Sequence, residues 1–190
     1  LFIGTDGLDI SDKERPALDV LDAILSGIGY PTGRLEDALR GGDLDLVYLV
    51  HAFPSYGINA GFFGVITQTT MGNMEKVQNI ILQNLRRMSE QPVSQQELEM
   101  GKNMLATMHH MEMESLGAQA QNAAVNEVLG LGWDYDERYL EQVKTVTVED
   151  VQNIAKKLFA HTLIVRTIPE NPVEIITPTT PERHIHPATP

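Results

Sequence analysis

The chain contains four short apolar stretches in which apolar and polar residues partly alternate. Through most of the remaining sequence, apolar positions recur at helical spacing. These stretches are rich in β-branched and aromatic residues, which is typical of strands. They cover residues 1–5, 44–53, 60–70 and 163–168. In the third stretch, the alternation predicts that Phe63, Val65 and Thr67 share one face of a sheet.

Two helices are predicted between the first and second strands. The first begins at Asp12, has Pro16 in its first turns, where a missing N–H costs little, and ends at Gly27. The second is the short segment 33–40. Together they carry the chain from one strand to the next without an extended linker.

Further helices fill the region between the third and fourth strands. Ser94 and Glu97 form a capping box that begins a long helix, and Thr147 and Asp150 cap a later one. We expect Gly117 to interrupt the long helix, because glycine lowers helix stability.

The order of elements is therefore strand, two helices, two strands, several helices and a last strand. Consecutive strands followed by consecutive helices predict an α+β fold, with a mostly antiparallel sheet packed against several helices. We expect one domain over residues 1–168. Residues 169–190 are rich in proline and threonine and are predicted to form a mobile tail. Within that tail, residues 173–176 are a candidate for an added edge strand.

Composition narrows the possible functions. A net charge of −12 argues against a nucleic-acid partner, and no apolar run is long enough to span a membrane. Zero cysteines exclude thiol catalysis, disulfides and cysteine-rich zinc sites. Periplasmic and cytoplasmic locations are both compatible with the sequence. Because Leu1 opens directly into a strand, we expect the chain to be part of a longer polypeptide, with any targeting signal upstream.

One segment carries candidate chemistry. A glycine-bounded turn leads into the helix 33–40, which bears Arg34 and Arg40, and Tyr48 follows at the start of the next strand. Arginine offers a fixed fork of donors and tyrosine adds one more, so Arg40 and Tyr48 could together bind a peptide carbonyl or an oxyanion. From the residues alone, a surface arginine and a half-buried strand tyrosine remain the simpler interpretation. Arg34 is expected to anchor its helix locally.

This segment resembles the second half-domain of the pitrilysin/insulinase family of zinc peptidases, which includes the mitochondrial processing peptidases. Members typically carry a small-residue loop, an S-R-L-F-Q-E-L-R-like helix and a G-L-A-Y-like strand start. Here the loop is 26–32, the helix is 33–40 and Leu46-Val47-Tyr48 takes the strand position. Tyr48 follows Arg40 by eight residues rather than the usual seven, so the acidic loop 41–45 is predicted to be one residue longer.

The resemblance implies a function for the pair. In the family, the equivalent arginine and tyrosine reach across to the zinc-bearing half and bind the substrate backbone near the scissile bond. It also implies that this half closes the substrate chamber, with Arg40 and Tyr48 as substrate-binding residues. The zinc would be held by the missing half-domain or by a partner subunit, and peptide would be the substrate. A half that exposes its partner-facing surface is also expected to self-associate.

The chain itself lacks the H-x-x-E-H motif with which such peptidases bind zinc. We therefore predict no catalytic residue and no metal ligand here, and no proteolysis by this chain alone. The alternative is an inactive structural or interaction module that keeps the peptidase fold.

Other candidates have simpler explanations. His110 and Glu114 are expected to lie in a polar helix stripe, and the histidines at 184 and 186 in a solvated tail. Met100, Met104, Met108 and Met111 recur at helical spacing, which favours core packing between two antiparallel helices over an adaptable binding surface.

Overall fold

The computed structural model describes residues 1–28, 32–42 and 44–170. Within them, a four-stranded sheet has the order β2-β3-β1-β4, and every neighbouring pair of strands is antiparallel. The strands are β1 (Phe2–Asp6), β2 (Val47–Ser55), β3 (Phe62–Thr69) and β4 (Leu163–Val165). The last strand is shorter than predicted, because pairing with β1 stops at Val165.

Two helices follow β1 and five follow β3 in the described residues. Their bounds are α1 (Arg15–Ser26), α2 (Arg34–Arg40), α3 (Met74–Glu90), α4 (Gln95–Glu112), α5 (Leu116–Val128), α6 (Tyr135–Thr145) and α7 (Val148–Leu158). The predicted order of elements and the α+β class are confirmed. The capping boxes at Ser94 and Thr147 are both present.

The long helix breaks earlier than predicted. We expected Gly117 to interrupt it, but α4 already ends at Glu112 and α5 begins at Leu116. The cause is Ser115, whose hydroxyl accepts a hydrogen bond from the Ala118 N–H and so caps a new helix. Gly117 lies inside the first turn of that helix.

The core forms between one face of the sheet and the helices. Ile3, Ala52, Phe63 and Val65 point into it from three strands and are fully buried, and Thr67 shares their face, as predicted. Helix α1 lies at the centre, packed against β2, α4 and α7, and every residue from 16 to 26 is buried. A helix this deeply enclosed normally carries only apolar residues, yet α1 contains two aspartates.

The other face of the sheet is open and unusually apolar. Antiparallel sheets with one open face normally show polar residues there. Here Phe62, Ile66, Leu163 and Val165 are all substantially exposed, and Phe2 packs edge-on against Phe62 with ring centroids 6.2 Å apart. An exposed apolar surface of this kind marks a binding or packing face.

The methionine stripe of α4 lies outside the core. We predicted that it packs between two helices, but Met100 is 62% exposed and Met111 is 57% exposed. Only Leu98 and Gly101 of α4 are buried, both near its start. None of the four methionines belongs to the buried core, so the core-packing prediction is wrong.

Two further predictions fall on residues 171–190. The candidate edge strand 173–176 and the histidines at 184 and 186 lie outside the described residues. Among the helices that are described, none is long and apolar enough to cross a membrane.

Candidate functional site

The site is the corner where α2 ends and β2 begins. Leu35 and Leu39 are fully buried and fix the inner side of α2, which leaves Arg40 exposed at its last turn. The N–H of Leu46 donates to the Leu39 carbonyl at 3.1 Å. This bond ties the residue before Arg40 to a residue two positions before Tyr48, so the helix end and the strand start are joined through the backbone.

The entry into α2 depends on a glycine. Gly33 has φ 103°, in the region that side chains rarely adopt. A Cβ at this position would lie 2.9 Å from the Gly27 nitrogen and 3.0 Å from the Leu25 carbonyl oxygen. The end of α1 and the start of α2 are therefore packed backbone against backbone, which sets the direction of α2.

Arg40 is held by its own helix. One terminal nitrogen of its guanidinium donates to Glu36 Oε1 at 2.9 Å, an i,i+4 ion pair along α2. A guanidinium has five N–H donors, so this pair orients the group while leaving donors for a ligand.

Tyr48 is the extra residue of a β-bulge. Val47 pairs with Thr69 and Leu49 pairs with Gln68, which leaves Tyr48 opposite no residue of β3. Its side chain is 81% exposed, so the interpretation of a half-buried strand tyrosine is wrong. A bulge adds one residue to a strand relative to its neighbour. That is the size of the difference between the eight-residue spacing here and the usual seven.

Two threonines of β3 fix the backbone around the bulge. The Thr69 hydroxyl donates to the Leu46 carbonyl at 2.6 Å, and the Thr67 hydroxyl donates to the Leu49 carbonyl at 2.7 Å. Carbonyls on both sides of Tyr48 thus accept a side-chain hydrogen bond from β3. The bulge is a built feature that turns an aromatic hydroxyl outward.

Arg34 anchors α2 to a distant helix. Its Nε and Nη2 donate to the two carboxylate oxygens of Glu97 on α4, at 2.7 and 3.0 Å, and its Nη1 contacts Met88 Sδ at 3.1 Å. The Arg34 fork, with help from the Ser94 cap, lowers the pKa of Glu97 to about 2. The prediction of a local anchor is therefore wrong, because the bond spans from α2 to the start of α4.

Sequence reasoning missed a buried polar cluster between α1, α6 and the end of β2. Asp19 accepts hydrogen bonds from the hydroxyls of Tyr56 (2.5 Å) and Tyr139 (2.7 Å). The Arg15 guanidinium lies over three rings, 4.7 Å from the centroid of Tyr56 and 5.4 Å from those of Tyr135 and Tyr139. Burial raises the pKa of Asp19, and the two tyrosine hydrogen bonds oppose that rise.

A second buried carboxyl lies one helical turn further along α1. The Ser26 hydroxyl donates to Asp22 at 2.8 Å and also contacts the Ala52 carbonyl at 3.1 Å. Burial raises the pKa of Asp22 to about 7. The sequence carried a signal for it, because Asp22 lies four residues after Leu18 and three before Leu25, on the apolar stripe itself.

These two carboxyls do not make a metal site. Among the residues that the structure describes, no three histidine, aspartate or glutamate side chains come together as metal ligands would. His110 and Glu114 are exposed surface positions on and just after α4. The described donor set therefore does not fit a zinc ion.

The fold and this corner match one protein family. A family model described as the peptidase M16 inactive domain matches residues 1–105, which include the whole α2–β2 corner. The chain belongs to the peptidase M16 inactive-domain family. This confirms the resemblance to the second half of pitrilysin-type zinc peptidases.

Individual relatives are distant in sequence and close in fold. The chain is 24% identical over 160 residues to the uncharacterized zinc protease YmxG of Bacillus subtilis (strain 168), covering 84% of this chain and 38% of that protein. It superimposes on a protease from Helicobacter pylori with a TM-score of 0.73, at 18% identity, covering 83% of this chain and 38% of that one. A peptidase M16 inactive domain from Pseudomonas fluorescens gives a TM-score of 0.70 at 23% identity, covering 91% of this chain and 42% of that one.

These comparisons define what the chain is similar to. It spans about 38% of the length of the curated zinc protease it matches. It is therefore an inactive peptidase domain of a zinc protease family, and its similarity covers one part of a longer relative.

Proposed function

We propose that this domain is the non-catalytic half of a zinc metalloendopeptidase. In this role it closes the substrate chamber, and Arg40 and Tyr48 bind the peptide backbone near the scissile bond. The single observation that supports the proposal is the bulge, which leaves the Tyr48 phenol exposed at the start of β2, while an ion pair orients the exposed Arg40 guanidinium at the end of α2. Neither residue contributes to the core, so packing does not explain this arrangement.

The chemistry of the corner suits a developing oxyanion. When a peptide carbonyl is attacked, its oxygen gains negative charge, and donors that are already oriented stabilise that charge at little further cost. Arg40 supplies a cation with free N–H groups and Tyr48 supplies a neutral O–H. Neither is a nucleophile or a base at neutral pH, so the pair can assist hydrolysis but cannot perform it.

The zinc ion belongs, in this proposal, to the other half-domain or to a partner subunit. The metal would supply the activated water, and this chain would supply binding and positioning. The inactive-domain family match supports a division of labour of this kind.

The test is reconstitution with the zinc-bearing half. Native chain and the variants Arg40→Ala and Tyr48→Phe are each combined with that half, and peptide cleavage is compared. Both variants should assemble normally and cleave more slowly. Arg86→Ala is the matched control, because Arg86 is an exposed arginine on α3 whose ion pair, with Glu90, runs along its own helix.

A second candidate is an interaction module without a role in cleavage. The observation that favours it is a set of exposed apolar side chains in and beside α4 and α5. They are Met111, Leu116, Val128 and Trp133, which are 57% to 86% exposed. Normal assembly together with unchanged cleavage in both corner variants would favour this second function.

A further inference from the structure

The open face of the sheet contains a notch beside its shortest strand. β1 pairs with β4 only through Phe2, Ile3 and Gly4, whereas its last residues, Thr5 and Asp6, pair only with β3. Because β4 begins at Leu163, the sheet loses a strand at this point. The space left is a cavity of about 590 Å³.

Two phenyl rings form the apolar part of the notch. Gly4 and Gly64 are direct partners across β1 and β3, and the Phe2 ring lies over both of them. A Cβ at Gly4 would lie 2.6 Å from that ring, and one at Gly64 only 2.5 Å from it. The glycines therefore let Phe2 lie close to the sheet, and Phe62 stands edge-on beside it.

One carboxylate lies at the same place. Asp6 is the partner of Phe62 across the two strands and lines the cavity with both rings. Across the described part of the chain, the Asp6 carboxylate has no ion-pair partner. The cavity thus combines two aromatic rings with the Asp6 carboxylate, and His161 also lines it.

This combination of rings and a carboxylate favours ligands with a positive charge. A cation over an aromatic ring is attracted by the ring quadrupole, and the carboxylate adds a direct attraction. An apolar side chain would bury part of the carboxylate without compensating it, and an acidic side chain would be repelled. The net charge of −12 further favours positively charged ligands over negatively charged ones.

From this geometry we infer that the notch lined by Phe2, Phe62 and Asp6 binds a lysine or arginine side chain of an extended peptide. The inference rests on the proposed function, since it supplies the substrate class for the same peptide-binding half. An extended chain fits the position, because Thr5 and Asp6 of β1 pair with no residue of β4. The site is separate from the α2–β2 corner, so it would hold a side chain away from the scissile bond.

The experiment measures peptide binding by the full chain without its partner. Two fluorescently labelled peptides of uncharged small residues are compared by anisotropy, one with a central lysine and one with norleucine at the same position. The lysine peptide should bind about 10-fold more tightly, as expected for a cation–π contact supplemented by one carboxylate. Asp6→Asn should remove this preference.

Two variants separate the notch from general effects. Glu149→Gln removes the same charge from an exposed position on α7 and should leave the preference intact. Phe62→Leu keeps the apolar surface but removes an aromatic ring. It should therefore weaken binding of the lysine peptide more than binding of the norleucine peptide. Thermal unfolding of each variant checks that the fold is retained.

Several results would overturn the inference. They are equal binding of the two peptides, no binding of either, or a preference that survives Asp6→Asn. Sedimentation could give a further contradicting result. If the native chain sediments as a dimer and Phe62→Leu as a monomer, a second copy of the chain covers this face instead of a peptide. Failure of the corner variants to slow cleavage, with the lysine preference intact, would instead count against the proposed function alone.

Discussion

Arg34 and Glu97 are 63 positions apart in sequence and form a two-pronged ion pair between α2 and α4. The same carboxylate accepts from the Ser94 N–H and so completes the capping box of α4. One glutamate thus orients two helices, and α2 is the helix that presents Arg40. The geometry of the candidate site depends on this distant contact.

Replacing Arg34 with alanine should therefore destabilise the domain. The pair is partly buried and charge-assisted, so the expected loss is about 1–2 kcal/mol, between the values for exposed ion pairs and buried hydrogen bonds to charged groups. Arg34→Lys should recover part of it, since lysine keeps the charge but not the fork. The measurement is urea unfolding at pH 7.

The exposed pair Arg86–Glu90 provides the control for Arg34. Arg86→Ala should change the free energy of unfolding by less than about 0.5 kcal/mol.

The Arg34–Glu97 pair should also make stability depend on pH. Because Arg34 lowers the pKa of Glu97 below its unfolded value, the stability from the Arg34–Glu97 pair is present above about pH 4.5 and is lost as pH falls towards 2. If the native chain and Arg34→Ala lose the same free energy of unfolding as pH falls, the ion pair does not stabilise the fold.

Asp22→Asn tests the buried carboxyl of α1. Its pKa is raised to about 7 in the folded state, so the folded chain holds a proton that the unfolded chain releases near pH 4. The native chain should consequently lose stability as pH rises from about 4 through about 7. The asparagine variant can keep the Ser26 hydrogen bond without titrating.

We expect this variant to be more stable than the native chain at pH 8, with the difference shrinking towards pH 5. Unfolding in urea at several pH values measures it. Asp9→Asn is a control for which the pH dependence of stability should have the opposite sign. Hydrogen bonds from Ser11 lower the pKa of the exposed Asp9 carboxyl, so this group stabilises the fold at higher pH. A difference between native chain and Asp22→Asn that does not change with pH would contradict this account.

Gly33→Ala tests the backbone packing that directs α2. The variant must adopt φ near +103° and bring its Cβ against the Gly27 backbone, so a loss of about 1–3 kcal/mol is expected. Gly72→Ala, at a position with open space around it, should have little effect. Thermal unfolding of both variants makes the comparison. Similar melting temperatures would mean that the turn relaxes without cost.

Much of this fold follows from the chain's periodicity. The order of strands and helices, the shared face of Phe63 and Val65, and the cap at Ser94 were all predictable, because each depends on residues within one or two turns. The resemblance around Arg40 also predicted the family correctly, whereas the substrate-binding role of Arg40 and Tyr48 stays a prediction. Local patterns thus sufficed to predict the class and the family.

The structure differs from the sequence-based predictions where contacts between residues distant in sequence determine the local structure. Arg34 finds its partner on another helix, and the bulge at Tyr48 depends on the alignment of β2 with β3. The methionines of α4 recur at helical spacing, but spacing alone cannot tell a helix face covered by the same chain from one left open. These features require tertiary structure.

The most direct test of the central claim is the cleavage rate of the reconstituted enzyme. If Arg40 and Tyr48 stabilise the oxyanion, kcat should fall by about 10²-fold in Arg40→Ala and by about 10-fold or more in Tyr48→Phe. Assembly with the zinc-bearing half and the Arg86→Ala control should be unaffected. Native kcat in both corner variants, at full assembly, would contradict the role assigned to this pair.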